Sequence, residues 1–407
     1  MSEVNNIPRL RFPSFYDEWK HDKLGNVINF QNGVGHERSI DENGNVVVVN
    51  SKFISTEGTV RKYTDKVLSI IPDDSLCMVM SDVPNGKAIA KCYYFETGNH
   101  FSLNQRICSI KSETEVNKFL FYRINRHKYY LKFDNGVGQT NLRKSEVLNC
   151  PIKLPSLSEQ QKIADFLTAV DKRIELLETK KTLLETYKKG VMKKIFNQEI
   201  RFKDNDGNDF PNWEEKRLGD IGEFKTSSVD KKLDDNEQEV FLVNYMNVYR
   251  HETITNKNKH DLMVVTAKPN QIDSNNLLKG DILFTPSSET PDDIGHSVVI
   301  FEDLDDTLYS YHLLRFRPSI KIDILYSHYF CNNDLVLNQI CRFATGSTRF
   351  TISKDSFSKI LINLPCIEEQ SKIARFLDSI DKQLELLETQ IDKSKTWKKG
   401  LLQKMFV

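Results

Sequence analysis

The chain of 407 residues balances 57 Lys plus Arg against 57 Asp plus Glu, with 39% hydrophobic and 28% charged residues, enough for two or three ordinary cores and unlike a disordered chain. Its zero net charge gives no overall basic footprint, so any contact with nucleic acid has to come from a local basic face or from partner subunits. Residues 1–12 hold no apolar run before a small-residue cleavage site, and eighteen consecutive apolar residues occur nowhere, so neither export nor membrane spanning is expected, and the location expected is cytoplasmic.

In chain order, the first patterned segment is EWKHDKLGNVINF (residues 18–30), with Trp19, Leu24-Gly25 and Phe30. Residues 68–95, LSIIPDDSLCMVMSDVPNGKAIAKCYYF, then read as short β-branched and aromatic strands broken by Pro, Gly and Asp-Asp turns. GVGQTNLRKSEVLNCPIKLP (136–155) leads into LPSLSEQQKIADFLTAVDKRIELLETKKTLLETYKKG (154–190), whose apolar spacing predicts a long helix.

The same plan then recurs. NWEEKRLGDIGEF (212–224) repeats the opening, residues 278–301 are again strand-like with different loops, and GSTRFTISKDSFSKILINLP (346–365) leads into LPCIEEQSKIARFLDSIDKQLELLETQIDKSKTWKKG (364–400). Roughly half the positions of the two helical copies are identical without a gap, which requires a duplication. PRLRF (8–12) also matches the NQEIRF that follows the first helix (197–202), so the repeat is circular and the two ends of the sequence are expected to lie together.

Both helices carry coiled-coil heptads. In the first, Ile163, Val170, Leu177, Leu184 and Val191 take a, while Leu167, Ile174 and Ile195 take d, with Lys181 and Lys188 interrupting the seam. In the second, Ile373, Ile380, Leu387 and Leu401 take a, and Leu377, Leu384, Ile391 and Met405 take d, with Ser394 out of pattern. Ser158 is the predicted N-cap of the first. Some forty residues make a rod of roughly 60 Å, longer than one domain core needs, which favours pairing of the rods with each other. Tyr187 and Trp397, at matching positions beside the basic clusters KKGVMKK and KSKTWKKG, are candidate packing anchors. Those clusters fit a helix-dipole complement, nearby DNA or acidic partner helices.

Seven scattered cysteines without a Cys-x-x-Cys pair, and histidines without metal spacing, imply reduced thiols and no metal. NGVG at 32–35 and 135–138 lacks a dinucleotide-site setting and reads as turn glycine.

RFPSFYDEW with its Leu-Gly, LPSLSEQQKIADFLTAVDKRIELLE, and their second copies resemble the specificity subunits of bacterial type I restriction-modification systems over nearly the whole sequence. The resemblance implies an α+β fold in which two β-rich target-recognition domains are separated by two long antiparallel coiled-coil helices in a pseudo-twofold circular repeat. Its divisions are residues 1–153, first recognition domain; 154–200, first spacer helix; 201–363, second recognition domain; and 364–407, second spacer helix. Each domain would read half of a bipartite double-stranded DNA target. The helices would set the spacing and dock two methyltransferase subunits, which restriction translocase/nuclease subunits join. The subunit is expected to be non-catalytic, with S-adenosylmethionine, ATP and Mg2+ on its partners. In line with this, the sequence lacks an Asn-Pro-Pro-Phe-like methylation motif, a phosphate-binding Gly-Lys-Ser/Thr loop and a nuclease cluster. The alternative is an assembly scaffold that binds no DNA.

Arg and Lys read guanine edges, Asn and Gln read adenine, and further contacts fall on phosphates. In the first half the candidates are Arg38, Lys52, Arg61, Lys87, Asn104, Arg106, Gln139 and Asn141. In the second they are Arg250, Lys268, Lys279, Arg315, Ser347, Thr348 and Arg349. The matched loops GVGQTN and GSTRF suit backbone approach to phosphate or a tight turn before a helix.

Overall fold

The computed structural model describes residues 7–83, 88–134 and 138–406. Two compact units emerge: Met1–Glu178 with Thr389–Val407, and Thr179–Glu388. Each therefore holds one β-rich globule and a portion of both long helices, Leu157–Phe196 and Ile367–Met405.

In the first unit, strands Asn29–Asn32, Ile107–Lys111, Ser75–Val79 and Cys92–Phe95 form an antiparallel sheet in that order. A second sheet pairs Val46–Val49 parallel to Phe101–Leu103. Side chains alternate across Ser75–Val79 with period two. Leu76 and Met78 join a core with Trp19, Phe119 and Ile163, while Cys77 and Val79 join one with Val47, Val49 and Phe53. Burial on both faces is why SLCMV reads as a continuous apolar run.

The second unit repeats this. Gly222–Thr226, Leu314–Pro318, Ile282–Phe284 and Ser297–Val299 form the first sheet, and Gln238–Val243 lies parallel to Leu304–Tyr309 in the other. Ile282 and Phe284 face one core and Leu283 another.

The opening motif has a physical reason in each unit. Strand Lys20–Lys23 pairs antiparallel with Pro151–Leu154, and Glu214–Arg217 with Leu361–Leu364. Leu24 and Leu218 are fully buried, and their amides donate to Cys150 O and Ile360 O at 2.9 Å. Glycine follows because a Cβ on Gly25 would stand 2.9 Å from Leu148 Cβ, and one on Gly219 2.8 Å from Ser358 Cβ. The Leu-Gly pair thus closes each globule onto the strand that feeds its long helix.

The Glu-Gln of each helix motif fastens that helix to its globule. Gln160 Oε1 accepts from Val116 N, and Gln370 Oε1 from Asp323 N, while each amide nitrogen donates to the carbonyl of Pro155 or Pro365. Glu159 and Glu369, 1% and 0% exposed, receive two guanidinium bonds each, from Arg11 and Arg201. Those bonds hold both arginines above their ordinary pKa.

The two helices run antiparallel in both units. In the first, Lys398 meets Asp171 and Lys395 meets Glu178; in the second, Lys181 meets Glu388 and Lys188 meets Asp381. Ile163, Leu167, Val170 and Ile174 share one core with Leu401 and Met405, and Ile373, Leu377 and Ile380 share the other with Ile195. These seam residues also touch globule side chains, so the stripe is wider than a two-helix contact requires. Ile391 and Leu387 are buried, Leu184 and Leu384 are partly buried against the second core, and Leu177 is half-buried.

Ser158 is not the cap. The helix begins at Leu157, and the amides of Glu159 and Gln160 bond to Ser156 O, because Pro155 ends the preceding strand and the helix starts immediately. Leu10 N donates to Lys404 O just as Ile200 N donates to Lys194 O, which brings residue 10 against the last turn of the second helix. Phe406 packs on Trp19 as Phe196 packs on Trp213.

All seven cysteines are free thiols. Burial pushes Cys108 up to about 12 and Cys77, Cys92 and Cys331 well above their ordinary value, leaving those four unreactive.

Candidate nucleic-acid interface

In both units the polar loop ahead of the long helix is tied to a two-residue strand that follows the central strand. Thr140–Asn141 pairs with Ser81–Asp82, and Phe350–Thr351 with Ser287–Ser288. A short helix preceded by asparagine, Ser51–Ser55 after Asn50 or Tyr245–Tyr249 after Asn244, stands beside the same strand. Ser51 Oγ donates to Ser81 O at 3.5 Å, and Tyr245 Oη to Ser287 O at 2.9 Å. One end of each globule is therefore built from the same three loops.

Several first-half candidates meet there. Gln139 Nε2 donates to Ser81 Oγ at 2.6 Å and to Asn141 Oδ1 at 3.4 Å. Arg106 O accepts from Met80 N, Asn104 N donates to Val49 O, and Lys52 is exposed on the short helix. Arg38 is exposed, next in sequence to Glu37, which accepts from Gln105. Arg61 stands apart, its Nε donating to Gly58 O at 2.8 Å. Lys87 and residues 135–137 of the loop lie outside the described residues.

In the second half Ser347, Thr348 and Arg349 are exposed on the loop closed by the Thr345 to Thr351 bridge, and Arg349 Nη2 donates to Ser287 Oγ at 3.0 Å. Thr348 and Arg349 border a cavity of about 610 Å³ whose other walls include Tyr245, Tyr249, Lys231 and His312. Tyr245 and Tyr249 stack at 5.9 Å. Tyr249 Oη donates to Asp293 at 3.2 Å, and that bond raises its pKa. Burial beside Lys231 and Arg349 lowers His312. Arg250 sits exposed at the end of the short helix, 3.8 Å from Glu252. Lys268, facing Glu237, and Lys279, on an exposed turn, are outside the cleft.

Arg315 is a correction. It is 4% exposed in strand Leu314–Pro318, its Nη1 donates to Asn276 O at 2.7 Å, and its guanidinium lies over the Tyr309 ring. Its alternate position in a buried strand points it inward, and it offers no donor to a groove. Conversely, Lys231, Tyr245, Tyr249 and His312 were missed. The available signal was Asn244-Tyr245, which occupies in its half the place of Asn50-Ser51.

Among the described residues no cluster of His, Cys, Asp or Glu could hold a metal ion, and no helix is long and apolar enough to cross a membrane.

The family model for the type I restriction modification DNA specificity domain matches this sequence twice, over residues 16–186 and 211–394. The chain belongs to this family. The type I restriction enzyme MjaVIII specificity subunit of Methanocaldococcus jannaschii is 24% identical over 415 residues, covering 95% of this chain and 91% of the relative. The crystal structure of a type I restriction-modification S subunit from M. genitalium superposes with a TM-score of 0.57 at 15% identity, covering 98% and 99% of the two chains. A second solved structure, described as the structural basis of complex assembly and conformational transition of the type I restriction-modification system, gives 0.58 at 17%, covering 96% and 97%. These likenesses share the fold.

In this specificity-family chain the basic clusters are partly consumed within the helix pair, through Lys188, Lys395 and Lys398. Trp397 is half exposed, with an edge on Phe166 at 6.1 Å, and Tyr187 is exposed.

Proposed function

We propose that each globule, residues 1–153 and 201–363, reads one half of a bipartite double-stranded DNA sequence for a type I restriction-modification complex, and that the helices, 154–200 and 364–407, set the separation and dock two methyltransferase subunits. The carrying observation is the same three-loop end on two equivalent units, with divergent side chains: amides and cations in the first, and tyrosines, hydroxyls and Arg349 in the second. Such loops carry phosphate donors on a fixed frame while their tips select bases.

Exposed apolar side chains on the helices, Leu176 and Trp397 in the first unit and Leu183, Tyr187 and Leu386 in the second, are the surfaces assigned to the methyltransferases. Restriction subunits join that core. S-adenosylmethionine, ATP and Mg2+ belong to these partners, and the assembly works in the cytoplasm. This chain supplies specificity without catalysis.

Titrating the chain and its methyltransferase with duplexes at several salt concentrations tests this against a scaffold that binds no DNA. Log affinity should fall linearly with log salt while a sequence preference persists. Binding indifferent to both would reject DNA reading. Calorimetry of the isolated chain with S-adenosylmethionine should register no binding, and clear heat would move the methyl donor onto this subunit.

A further inference from the structure

In the first unit Tyr122, on helix Asn117–Ile124 of the globule, donates to Asp171 Oδ2 at 2.8 Å. Asp171 lies on the first long helix, and its other oxygen meets Lys398 of the second. Lys398 Nζ closes the triangle 5.9 Å above the Tyr122 ring. The second unit repeats the set with the helices exchanged. Tyr329, on Ile324–Phe330, donates to Asp381 Oδ2 at 2.8 Å, Asp381 meets Lys188, and Lys188 Nζ lies 5.5 Å over the tyrosine ring.

Three elements that could otherwise shift against one another thus meet at one carboxylate in each unit. Both lysines are d residues by the heptad spacing, where an apolar side chain would pack better. The tyrosines are buried, while lysine and aspartate remain part-exposed, so core filling does not account for the set. Helix Asn117–Ile124 packs on strands Ser75–Val79 and Cys92–Phe95, and Ile324–Phe330 on Ser297–Val299. Strand Ser75–Val79 runs into Ser81–Asp82, and Ser297–Val299 pairs with Ile282–Phe284, which leads to Ser287–Ser288. A rotation of either globule on its helices therefore moves its reading loops.

We infer that each Tyr–Asp–Lys set is a clasp that fixes the angle of a recognition globule on the helix pair, and hence the phase at which its loops meet DNA. This rests on the half-site reading proposed above. Tyr122, Asp171, Lys398, Tyr329, Asp381 and Lys188 are then positioning residues for the spacer between half-sites.

Tyr122→Phe and Tyr329→Phe keep the ring and remove one corner, and Lys188→Met and Lys398→Met remove another. Each variant, carried in a host with its partner subunits, is read by sequencing methylated sites. The half-site sequences should stay as they are, while sites whose spacer is one base pair too long or short become about tenfold more frequent, the shift that loss of one charge-assisted bond permits. Tyr329→Phe with Lys188→Met should do no more than the worse single variant, because the clasp acts as one unit. A spacer distribution as narrow as the parent's, whatever the total methylation, overturns the proposal. Hydrogen exchange on the full-length chain separates this from failure of half-site reading: in Lys398→Met, amides of Asn117–Ile124 should exchange faster although the substitution is on another helix. Unchanged protection there also overturns the clasp.

Discussion

Leu387→Asp should cost roughly 3 to 5 kcal/mol and prevent assembly with the methyltransferase. Leu387 is 5% exposed and is the one buried residue between residues 381 and 390, so a carboxylate there must either be buried without a partner or force the helices apart. Neither globule core contains Leu387, so the helix pair should loosen before the sheets melt. Leu177→Asp, at the equivalent heptad position, should cost less, because Leu177 is half-buried and its charge can reach water. Pull-down with the methyltransferase and circular dichroism on both variants check this. Equal losses, or full assembly of Leu387→Asp, would argue against a helix pair held by this seam.

Arg11→Met should destabilise the chain more than Arg201→Met. Each substitution strands a buried carboxylate, and leaving such a charge unpaired costs about 3 to 5 kcal/mol. Glu369 keeps a donor, because Trp213 Nε1 bonds to it at 2.9 Å, whereas Trp19 Nε1 has no partner among the described residues. Thermal unfolding at neutral pH should place Arg11→Met lowest, with the parent above both. The reverse order would mean that the tryptophan bond does not share the load.

The repeat and both helices were legible because a buried stripe demands apolar residues at fixed intervals over forty positions. Trp19, Leu24-Gly25 and their copies were equally visible, since closure of the globule onto its exit strand tolerates little else. The Glu-Gln pair was visible as a pattern, but its work was hidden: only the fold shows that Glu159 waits for Arg11, 148 residues away, and that Gln160 replaces a backbone partner for Val116. Lys188 looked like a flaw in the heptad, because a period counts apolar contacts and cannot register an aspartate on the opposite helix. The cleft was least legible. Between its bookends the second half differs in length, so Tyr245 could not be aligned with Ser51 until the asparagine ahead of each short helix and the shared serine carbonyl appeared. Arg315 was misjudged for a related reason: in a strand, one residue of shift separates a groove-facing arginine from a core one.

The central claim is that two independent reading heads share one ruler. Exchange of residues 14–151 for the corresponding domain of a relative, followed by sequencing of methylated sites in a host carrying the partner subunits, tests it most directly. Residues 14–151 hold the first globule's strands and loops up to the start of Pro151–Leu154, and the cut falls ahead of both long helices, so the incoming domain has to supply the side chains that pack on Ile163, Leu167 and Leu401 as Trp19, Leu76 and Met78 do. The expected product methylates a sequence with one half-site altered, the other retained and the spacer unchanged. Alteration of both half-sites, or of neither, would contradict the account.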